Sequence, residues 1–346
     1  MEKGGDDTEN LDSVALPRSY ANDGPLGFAF DQVGGYFVRW TDDLSYRDYY
    51  TKESDECGNY SMATMPTEPL VAATFNLELA KQEGEFFGED ALWANETSIF
   101  APGVNLHRGV YCARNHEYYS EDSMLTSLFG TAVADGGQSK GLMVEPKHFA
   151  FNHMETNRSG VSTFFNEQAG RENELRCFHT LLAENHASGL MTAFNRIGTV
   201  YAGGCSALLT DLLRTEWGYM GWIVTDMING PEYMNWRDVV AAGGGNCLTS
   251  SAYDSSVIGT MAASKSDISK DAFFQGKMQE NIKYWLYQLA GSNVQNGQTS
   301  TTERVYVKTW YQKALNYATY GFAAVTVLFM LIGLLKRLKA GKKANA

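Results

Sequence analysis

The sequence is poor in the residues that build metal centres and disulfide frameworks. It contains 5 cysteines and 6 histidines in 346 residues. No two cysteines are spaced as Cys-x-x-Cys and their number is odd, so we predict neither a zinc cluster nor a disulfide framework. His148 and His153 lie close in sequence but lack the carboxylate–histidine pattern of a metal site. We therefore predict no metal ligand and no cofactor.

An excess of positive charge is also absent. The formal net charge is −12, and the basic residues near the carboxyl end (336–346) leave the remainder more acidic still. An acidic body repels phosphates, which excludes a nucleic-acid partner. The glycine run 243–245 lacks the Lys-Ser/Thr of a phosphate loop. Residues 1–15 are polar and acidic, which predicts a disordered lead-in without the basic and apolar parts of a signal peptide.

What the chain does contain is a regular alternation of strand-like and helix-like segments. This alternation predicts an α/β fold with a parallel sheet, and the length suits one large barrel. Residues 31–66 lack periodicity and predict a long loop over the barrel mouth. The predicted strands are 18–22, 98–101, 141–145, 189–194 and 221–225. The predicted helices are 76–93, 123–136, 166–186, 206–217, 231–242 and 268–289.

The pattern weakens after the fifth predicted strand. Residues 246–249, Asn-Cys-Leu-Thr, are a poor match to an apolar strand that ends on an acid. We therefore expect the closing units of the barrel to be shortened or irregular, with a sheet edge left exposed. One alternative is that the chain is an isolated gene fragment that does not fold well.

Polar residues follow several of the predicted strands. Asp226 ends the buried segment 221–225, at the position where barrel enzymes carry catalytic groups. Strand-end residues at other positions complete a ring of donors and acceptors that suits the hydroxyls of a neutral sugar: Asp23, Lys147, His148 and Asn195. The structural alternative is that Asp226 caps a helix. Glu117 and Glu121 are expected to pair with Arg114 or to cap the helix that starts at residue 123.

Four motifs occur in a fixed order between residues 101 and 227: APGVNLHR, ARNHEYYSED, KHFAFN-HMETNR and LLTDLLRTEWGYMGWIVTDM. Together they resemble glycoside hydrolase family 3, the β-glucosidase and β-xylosidase group, and the resemblance runs from about Pro17 to Ser292. It implies an α/β fold with a (β/α)8 TIM-like barrel, usually beside an α/β sandwich domain. It also implies retaining hydrolysis of β-linked saccharides, so the expected substrate is an oligosaccharide or β-glycoside.

The resemblance also assigns roles to residues. Asp226 matches the family's nucleophile, which forms a glycosyl-enzyme intermediate. Together with Asn195 from the strand-end set, the predicted substrate-binding residues are Asp23, Arg114, Lys147, His148, Arg158 and Asn195. Cations within about 4–6 Å of a carboxylate lower its pKa, which would keep Asp226 ionised for attack.

Two departures from the family pattern bear on activity. Met227 stands where the family usually has tryptophan, which removes a wall of the sugar site. A retaining glycosidase needs a second carboxyl group ~5–5.5 Å from the first, and in most of the family it comes from outside the barrel. No acid/base is identified in this sequence. The chain is therefore interpreted as the C-terminal part of a domain-inverted member, or as a non-catalytic or truncated sugar-binding barrel that needs a separate domain.

The carboxyl-terminal part predicts a membrane span. Residues 318–335 carry no charge, with tyrosines at one edge and Lys336 and Arg337 at the other. A buried core helix is the alternative. The positive-inside rule places the basic tail in the cytoplasm and the body on the extracellular face of the cell membrane. The alternative is a tail-anchored protein whose body lies inside the cell, which would explain why no export signal is found. The predicted organisation is a lead-in (1–15), barrel (16–292), linker (293–313), transmembrane helix (314–337) and basic tail (338–346).

Overall fold

The computed structural model describes residues 21–28, 32–33, 36–37, 64–94, 96–228, 233–248, 270–295 and 310–344. They fall into two compact units, Met1–Gln298 and Thr299–Ala346. The predicted lead-in (1–15) lies outside the described residues. So does the predicted loop at 31–66, apart from a short antiparallel pair, β2 (Gln32–Val33) and β3 (Tyr36–Phe37), and residues 64–66.

A parallel sheet forms the centre of the first unit. Its strands, each near a segment predicted to be extended, are β1 (Ala21–Asp23), β4 (Ser98–Phe100), β5 (Met143–Val144), β7 (Gly189–Met191) and β10 (Trp222–Val224). β4 lies between β1 and β5, and β7 pairs with β10. A parallel bridge from Phe149 to Thr192 continues the order from β5 to β7. Parallel strands that follow one another in chain order are typical of a barrel.

A sixth strand position follows β10. Asn246 forms a parallel bridge with Val224, and the backbone amide of Thr225 donates to the Asn246 carbonyl at 2.9 Å. The amide of Ile228 donates to the carbonyl of Leu248 at 2.8 Å. Up to Leu248 the segment pairs through this single bridge and backbone hydrogen bonds rather than as a regular strand, in keeping with the expected short, irregular closing units, because backbone groups of any residue can pair. Beyond Leu248 that expectation lies outside the described residues up to Lys270.

Helices cover the sheet. Their bounds are Glu68–Ala72, Leu77–Ala94, Ser123–Ser139, Arg176–Ala183, Trp236–Ala241 and Ala272–Ala290, with a π-helical segment at Ala207–Glu216. The helix Ser123–Ser139 is capped by Asp122, whose carboxylate accepts from the Leu125 amide at 2.7 Å. The prediction that Glu121 caps this helix is wrong, because the side chain that accepts from the first turn belongs to the residue directly before the helix, which is Asp122.

The helix Ala272–Ala290 is fastened to the sheet by polar contacts. Asn281 Nδ2 donates to the carbonyl of Gly244 at 2.7 Å. Gln288 Nε2 donates to Glu145 Oε1 at 2.9 Å, just after β5. These hydrogen bonds hold the last helix of the unit against strand ends that lie far away in sequence.

A second, smaller sheet is formed by segments that follow β5 and β7 in the chain. It consists of β6 (Ser162–Thr163), β8 (Arg196–Ile197) and β9 (Val200–Tyr201), with β8 in the middle. β6 runs parallel to β8, whereas β9 runs antiparallel to it. This smaller sheet therefore brings the loop after β5 and the loop after β7 together.

The second unit contains one long helix, Trp310–Ala344. Within it, Lys313–Gly333 is long and apolar enough to cross a membrane, judged by length and composition. The side chains of residues 313–333 are exposed within their own unit.

Candidate active site

Asp226 lies two residues after the end of β10, and hydrogen bonds of backbone amides fix its position. Its amide donates to the carbonyl of Thr192 at 3.1 Å, and its Oδ1 atom accepts from the Met227 amide at 2.7 Å. The side chain is 12% exposed. The next described helix, Trp236–Ala241, is capped by Asn235. Asp226 is therefore not the cap of that helix, and its carboxylate remains available in a buried setting.

His148 lies beside the Asp226 carboxylate, with Nε2 at 3.6 Å from Oδ2. Asn105 fixes the histidine backbone, accepting from its amide at 2.8 Å and donating to its carbonyl at 3.0 Å. The Tyr118 hydroxyl lies 3.4 Å from Nδ1. Burial lowers the pKa of His148 well below its ordinary value, and the nearby cations lower it further. The ring is therefore neutral near Asp226.

Lys147 connects two strand ends through its buried ammonium group. Its side chain is 1% exposed, and Nζ forms an ion pair with Asp23 Oδ1 at the end of β1. Nζ also lies 3.8 Å from Glu117 Oε2. Because a buried ammonium needs anionic partners, Lys147 draws the ends of β1 and β5 together with the loop that carries Glu117.

Arg114 and Glu117 form a two-point ion pair. Nε of the arginine donates to Oε1 at 2.8 Å and Nη2 donates to Oε2 at 2.6 Å. Burial by itself would lower the pKa of Arg114, but the hydrogen bonds to Glu117 together with the electrostatic effects of Tyr118, Glu117 and Asp226 raise it. Burial would likewise raise the pKa of Glu117, but the hydrogen bonds from Arg114 and the charge of Lys147 lower it. Both groups therefore stay charged.

The pKa of Asp226 results from two opposing effects. Burial raises it by more than the charge of Arg114, the Met227 amide and the charges of Arg158 and Lys147 lower it, so that the resulting pKa is about 6. The carboxylate is therefore mostly ionised at neutral pH and protonated in mild acid. Without the surrounding cations the burial would leave it protonated over a wider range.

Glu155 links the two arginines of the site, and sequence reasoning assigned it no role. Arg158 Nη1 lies 2.8 Å from Glu155 Oε2, and Arg114 Nη1 lies 3.9 Å from Oε1. The guanidinium of Arg158 stacks 4.2 Å above the Phe194 ring. The only sequence signal for this contact is the three-residue spacing from Glu155 to Arg158, which many surface pairs share.

Asn195 is buried but does not join the cluster around Asp226. Its side-chain amide donates to the carbonyl of Ala150 at 3.2 Å, and its own carbonyl accepts from the Ala202 amide at 3.1 Å. Among the described residues no hydrogen bond connects it to Asp226. The structure thus uses Asn195 to join the loops after β5 and β7, and its predicted contact with substrate stays a prediction.

His153 faces a different carboxylate. Its Nε2 atom lies 2.6 Å from Glu174 Oε2, and Arg108 Nε lies 2.7 Å from Oε1 of the same glutamate. Within the described part of the chain no group of three or more His, Cys, Asp or Glu residues is arranged to hold a metal ion. The cysteines at 112, 177, 205 and 247 are free thiols, while Cys57 lies outside the described residues.

Residues 55–237 match the sequence family described as the glycosyl hydrolase family 3 N-terminal domain. The chain belongs to this family. The resemblance predicted from the four motifs is thereby confirmed. The family's N-terminal domain is TIM-barrel-like, which agrees with the parallel strand order and the α/β class.

Relatives and solved structures of the family are named as β-glucosidases. The chain is 31% identical over 232 residues to β-glucosidase A of Butyrivibrio fibrisolvens, covering 67% of this chain and 25% of that protein. It is 30% identical over 218 residues to a β-glucosidase of Ruminococcus albus, covering 63% of this chain and 20% of that protein. The chain thus spans about a quarter or less of these relatives.

The fold is similar to β-glucosidase 3B from Thermotoga neapolitana, solved in complex with α-D-glucose. The TM-score is 0.68 at 27% identity, over 84% of this chain and 38% of that chain. These family 3 relatives and structural neighbours are glycoside hydrolases.

Proposed function

We propose that the chain is the barrel portion of a β-glucosidase-like enzyme that cleaves β-linked saccharides with retention, using Asp226 as nucleophile. The observation that carries this proposal is the convergence on one buried carboxylate of groups from separate strand ends. His148 lies 3.6 Å from it, and Arg114, Arg158 and Lys147 act on its charge. The glucose bound in a similar family 3 structure supports a glucose-like sugar in this site.

In the proposed reaction, the ionised Asp226 carboxylate attacks the anomeric carbon and the bond from that carbon to the glycosidic oxygen breaks. The leaving oxygen takes a proton from a general acid, and water later displaces Asp226 while the same group removes its proton. Asp23, Lys147 and neutral His148 would bind sugar hydroxyls. Arg114 and Arg158 would keep Asp226 ionised and would hold the ring in register.

The proton donor is proposed to come from a separate α/β sandwich domain. Of the carboxylates near the site in the described residues, Glu117 and Glu155 are each held by arginine guanidinium groups. Burial by itself would raise the pKa of Glu117, but the hydrogen bonds from Arg114 and the charge of Lys147 lower it, so Glu117 is a poor acid. A chain without that domain would still bind sugar and form the covalent bond, but it would expel ordinary alcohols slowly.

The carboxyl-terminal helix is proposed to anchor the protein in a membrane. Lys313–Gly333 is apolar and exposed within its unit, and basic residues follow it. Under the positive-inside rule the tail would lie in the cytoplasm and the sugar site on the outer face of the cell membrane. Membrane lipid is then a partner of the second unit.

The decisive test uses a substrate whose leaving group departs without receiving a proton. A 2,4-dinitrophenyl 2-deoxy-2-fluoro-β-glucoside releases a stable anion, so trapping reports the nucleophile alone. Mass spectrometry of the digested protein should place the fluorosugar on Asp226. The variant Asp226→Asn should remain unlabelled, whereas Asp211→Asn, an exposed carboxylate in the same motif, should label normally. Absence of label with the gluco, xylo and galacto reagents would rule out the nucleophile.

A second candidate is a sugar-binding barrel without activity of its own. Met227 in the sugar wall and the arginine-bound carboxylates favour this candidate. Calorimetry should then detect glucose or xylose binding while the fluorosugar reagents leave the protein unmodified. Turnover of an aryl glycoside by the chain alone would exclude it.

A further inference from the structure

Tyr118 is a buried tyrosine whose hydroxyl group lies beside the ring nitrogen of His148 that is not directed at Asp226. The residue is 0% exposed, and its hydroxyl oxygen lies 3.4 Å from Nδ1 of His148. The other ring nitrogen, Nε2, lies 3.6 Å from Oδ2 of Asp226. A neutral imidazole has one N–H and one acceptor nitrogen. The hydrogen bond made at Nδ1 therefore decides what Nε2 presents to the carboxylate.

Asn152 determines how the hydroxyl group of Tyr118 is used. Its Nδ2 atom donates to Oε1 of Glu155 at 3.3 Å and to the Tyr118 hydroxyl oxygen at 3.4 Å. Glu155 also pairs with Arg158, and an ionised carboxylate only accepts, so the amide of Asn152 must face it with its NH2 group. The hydroxyl oxygen of Tyr118 consequently accepts from Asn152 and has its own hydrogen left to donate.

The hydroxyl hydrogen of Tyr118 has one acceptor in the described part of the chain. The side-chain groups within hydrogen-bond distance of the oxygen are Asn152 Nδ2, which is a donor, and His148 Nδ1. Burial raises the pKa of Tyr118 well above its ordinary value, so the hydroxyl keeps its hydrogen at neutral pH. A buried hydroxyl that donates to nothing is costly. Nδ1 is therefore the acceptor nitrogen of the ring.

Asp226 favours the same arrangement from the other side of the imidazole. A negative carboxylate attracts an N–H and repels a nitrogen lone pair, even at a separation longer than a hydrogen bond. Asn105 is the competing acceptor for a proton on Nδ1, with its Oδ1 atom at 3.4 Å. That oxygen already accepts from the backbone amide of His148 at 2.8 Å. Tyr118 and Asp226 thus both favour the ring proton on Nε2, and Asn105 opposes them.

We infer that Tyr118 is a positioning residue for His148, whose Nδ1 accepts from the tyrosine hydroxyl so that the single ring proton is held on Nε2, facing Asp226. No proton is transferred in this arrangement. An N–H rather than a lone pair then lies beside the carboxylate, which favours the ionised form of Asp226. His148 also becomes a donor toward an oxygen of a bound sugar. This role in sugar binding rests on the proposed function, whereas the tautomer of His148 in the unliganded chain does not.

The test determines the tautomer of His148 in the full chain by nitrogen-15 NMR of the imidazole rings. Protonated and unprotonated ring nitrogens resonate far apart, and His148→Gln identifies the signals among those of the 6 histidines. The wild-type chain should carry the proton on Nε2. Tyr118→Phe should lower the ratio of the Nε2–H form to the Nδ1–H form about fivefold, because one hydrogen bond between neutral groups is lost.

Two further variants complete the comparison. Asn152→Leu should lower the same ratio by less, because the hydroxyl of Tyr118 is then free to accept from Nδ1–H, and it serves if Tyr118→Phe does not fold. Tyr119→Phe is the matched control and should leave the ratio unchanged. It removes the hydroxyl of the adjacent buried tyrosine, whose oxygen has no hydrogen-bond partner among the described residues.

A proton on Nδ1 in the wild-type chain would overturn the inference. So would a ratio that stays unchanged in both Tyr118→Phe and Asn152→Leu, or one that changes equally in Tyr119→Phe. Fluorosugar trapping of the same proteins separates this inference from the proposed function. Trapping at Asp226 with an unchanged tautomer would retain the nucleophile and reject the role of Tyr118. The expected tautomer shift without any trapping would retain the role of Tyr118 and reject the nucleophile.

Discussion

The Nε2 atom of His148 lies 3.6 Å from the Oδ2 atom of Asp226, although β7 separates their strands in the sheet. Such a contact arises where curved parallel strands direct their carboxyl ends toward one point. Because burial keeps His148 neutral, it approaches the carboxylate without a second ion pair. The same region holds the charges of Arg114, Arg158 and Lys147, so one buried acid is surrounded by permanent cations and one neutral ring.

Asp226→Asn should abolish fluorosugar trapping and reduce glycosidase activity at least about a thousandfold, because no nucleophile remains. The same variant should stabilise the protein near neutral pH. The folded pKa of about 6 exceeds the ordinary value of 3.8, so the native state loses stability as pH rises between these values. The gain for the variant is then up to about 3 kcal/mol above this window and vanishes below it. Denaturant unfolding on both sides of the window measures it; an equal effect in acid would contradict the burial argument.

Lys147→Met and Asp23→Asn should separate binding from stability. Lys147 is 1% exposed and Asp23 is 51% exposed on its side chain. Removing the buried cation leaves Glu117 with less compensation and should cost about 3–5 kcal/mol, whereas the exposed partner should cost less than about 1 kcal/mol. Both variants should weaken glucose binding in calorimetry. Equal urea midpoints for the two would show that the ion pair does not depend on the burial of Lys147.

Glu155→Gln should raise KM about tenfold with a smaller change in kcat, because one hydrogen bond to a charged group is lost and Arg158 is no longer fixed over Phe194. Glu167→Gln is the control: it removes an exposed glutamate that pairs with Arg171, outside the cluster around Asp226. Steady-state kinetics with an aryl glycoside, or sugar affinity in the absence of turnover, gives the comparison. An equal effect of both substitutions would assign Glu155 to general surface charge.

Glu83 should make stability depend on pH independently of the sugar site. Burial raises its pKa to about 8, and its Oε1 atom has no hydrogen-bond partner among the described residues. The native state therefore keeps a proton that the unfolded chain releases, and stability falls as pH rises from about 4.5 to about 8. Glu83→Gln should flatten this decline, seen as a higher Tm at alkaline pH. Glu78→Gln, exposed on the same helix, should follow the wild-type curve.

Deleting residues 310–346 should release the protein from membranes. The apolar helix would be lost, and the remaining acidic body has no attraction to anionic lipid. Leu328→Arg in the middle of the span should weaken insertion by about 2.5–3.5 kcal/mol, whereas Lys313→Arg at its edge should behave like wild type. Membrane flotation measures all three, and a soluble wild-type chain would reject the anchor.

The sequence by itself determined the α/β class, most strand and helix positions and the family. Apolar periodicity is a local property, and the four motifs carry their own order and spacing. It also placed Asp226, Lys147, His148 and Arg114 at strand ends or loops of one barrel mouth. Their catalytic and binding roles remain predictions.

Only the tertiary structure decided which charges neutralise one another and which backbones pair. Glu155 between two arginines, Asn195 on the Ala150 carbonyl and Tyr118 beside His148 are contacts between segments far apart in sequence. Asn246 joins the sheet despite its polarity because pairing uses the main chain. Such contacts depend on burial and long-range packing, and these are properties of the folded chain rather than of any local pattern.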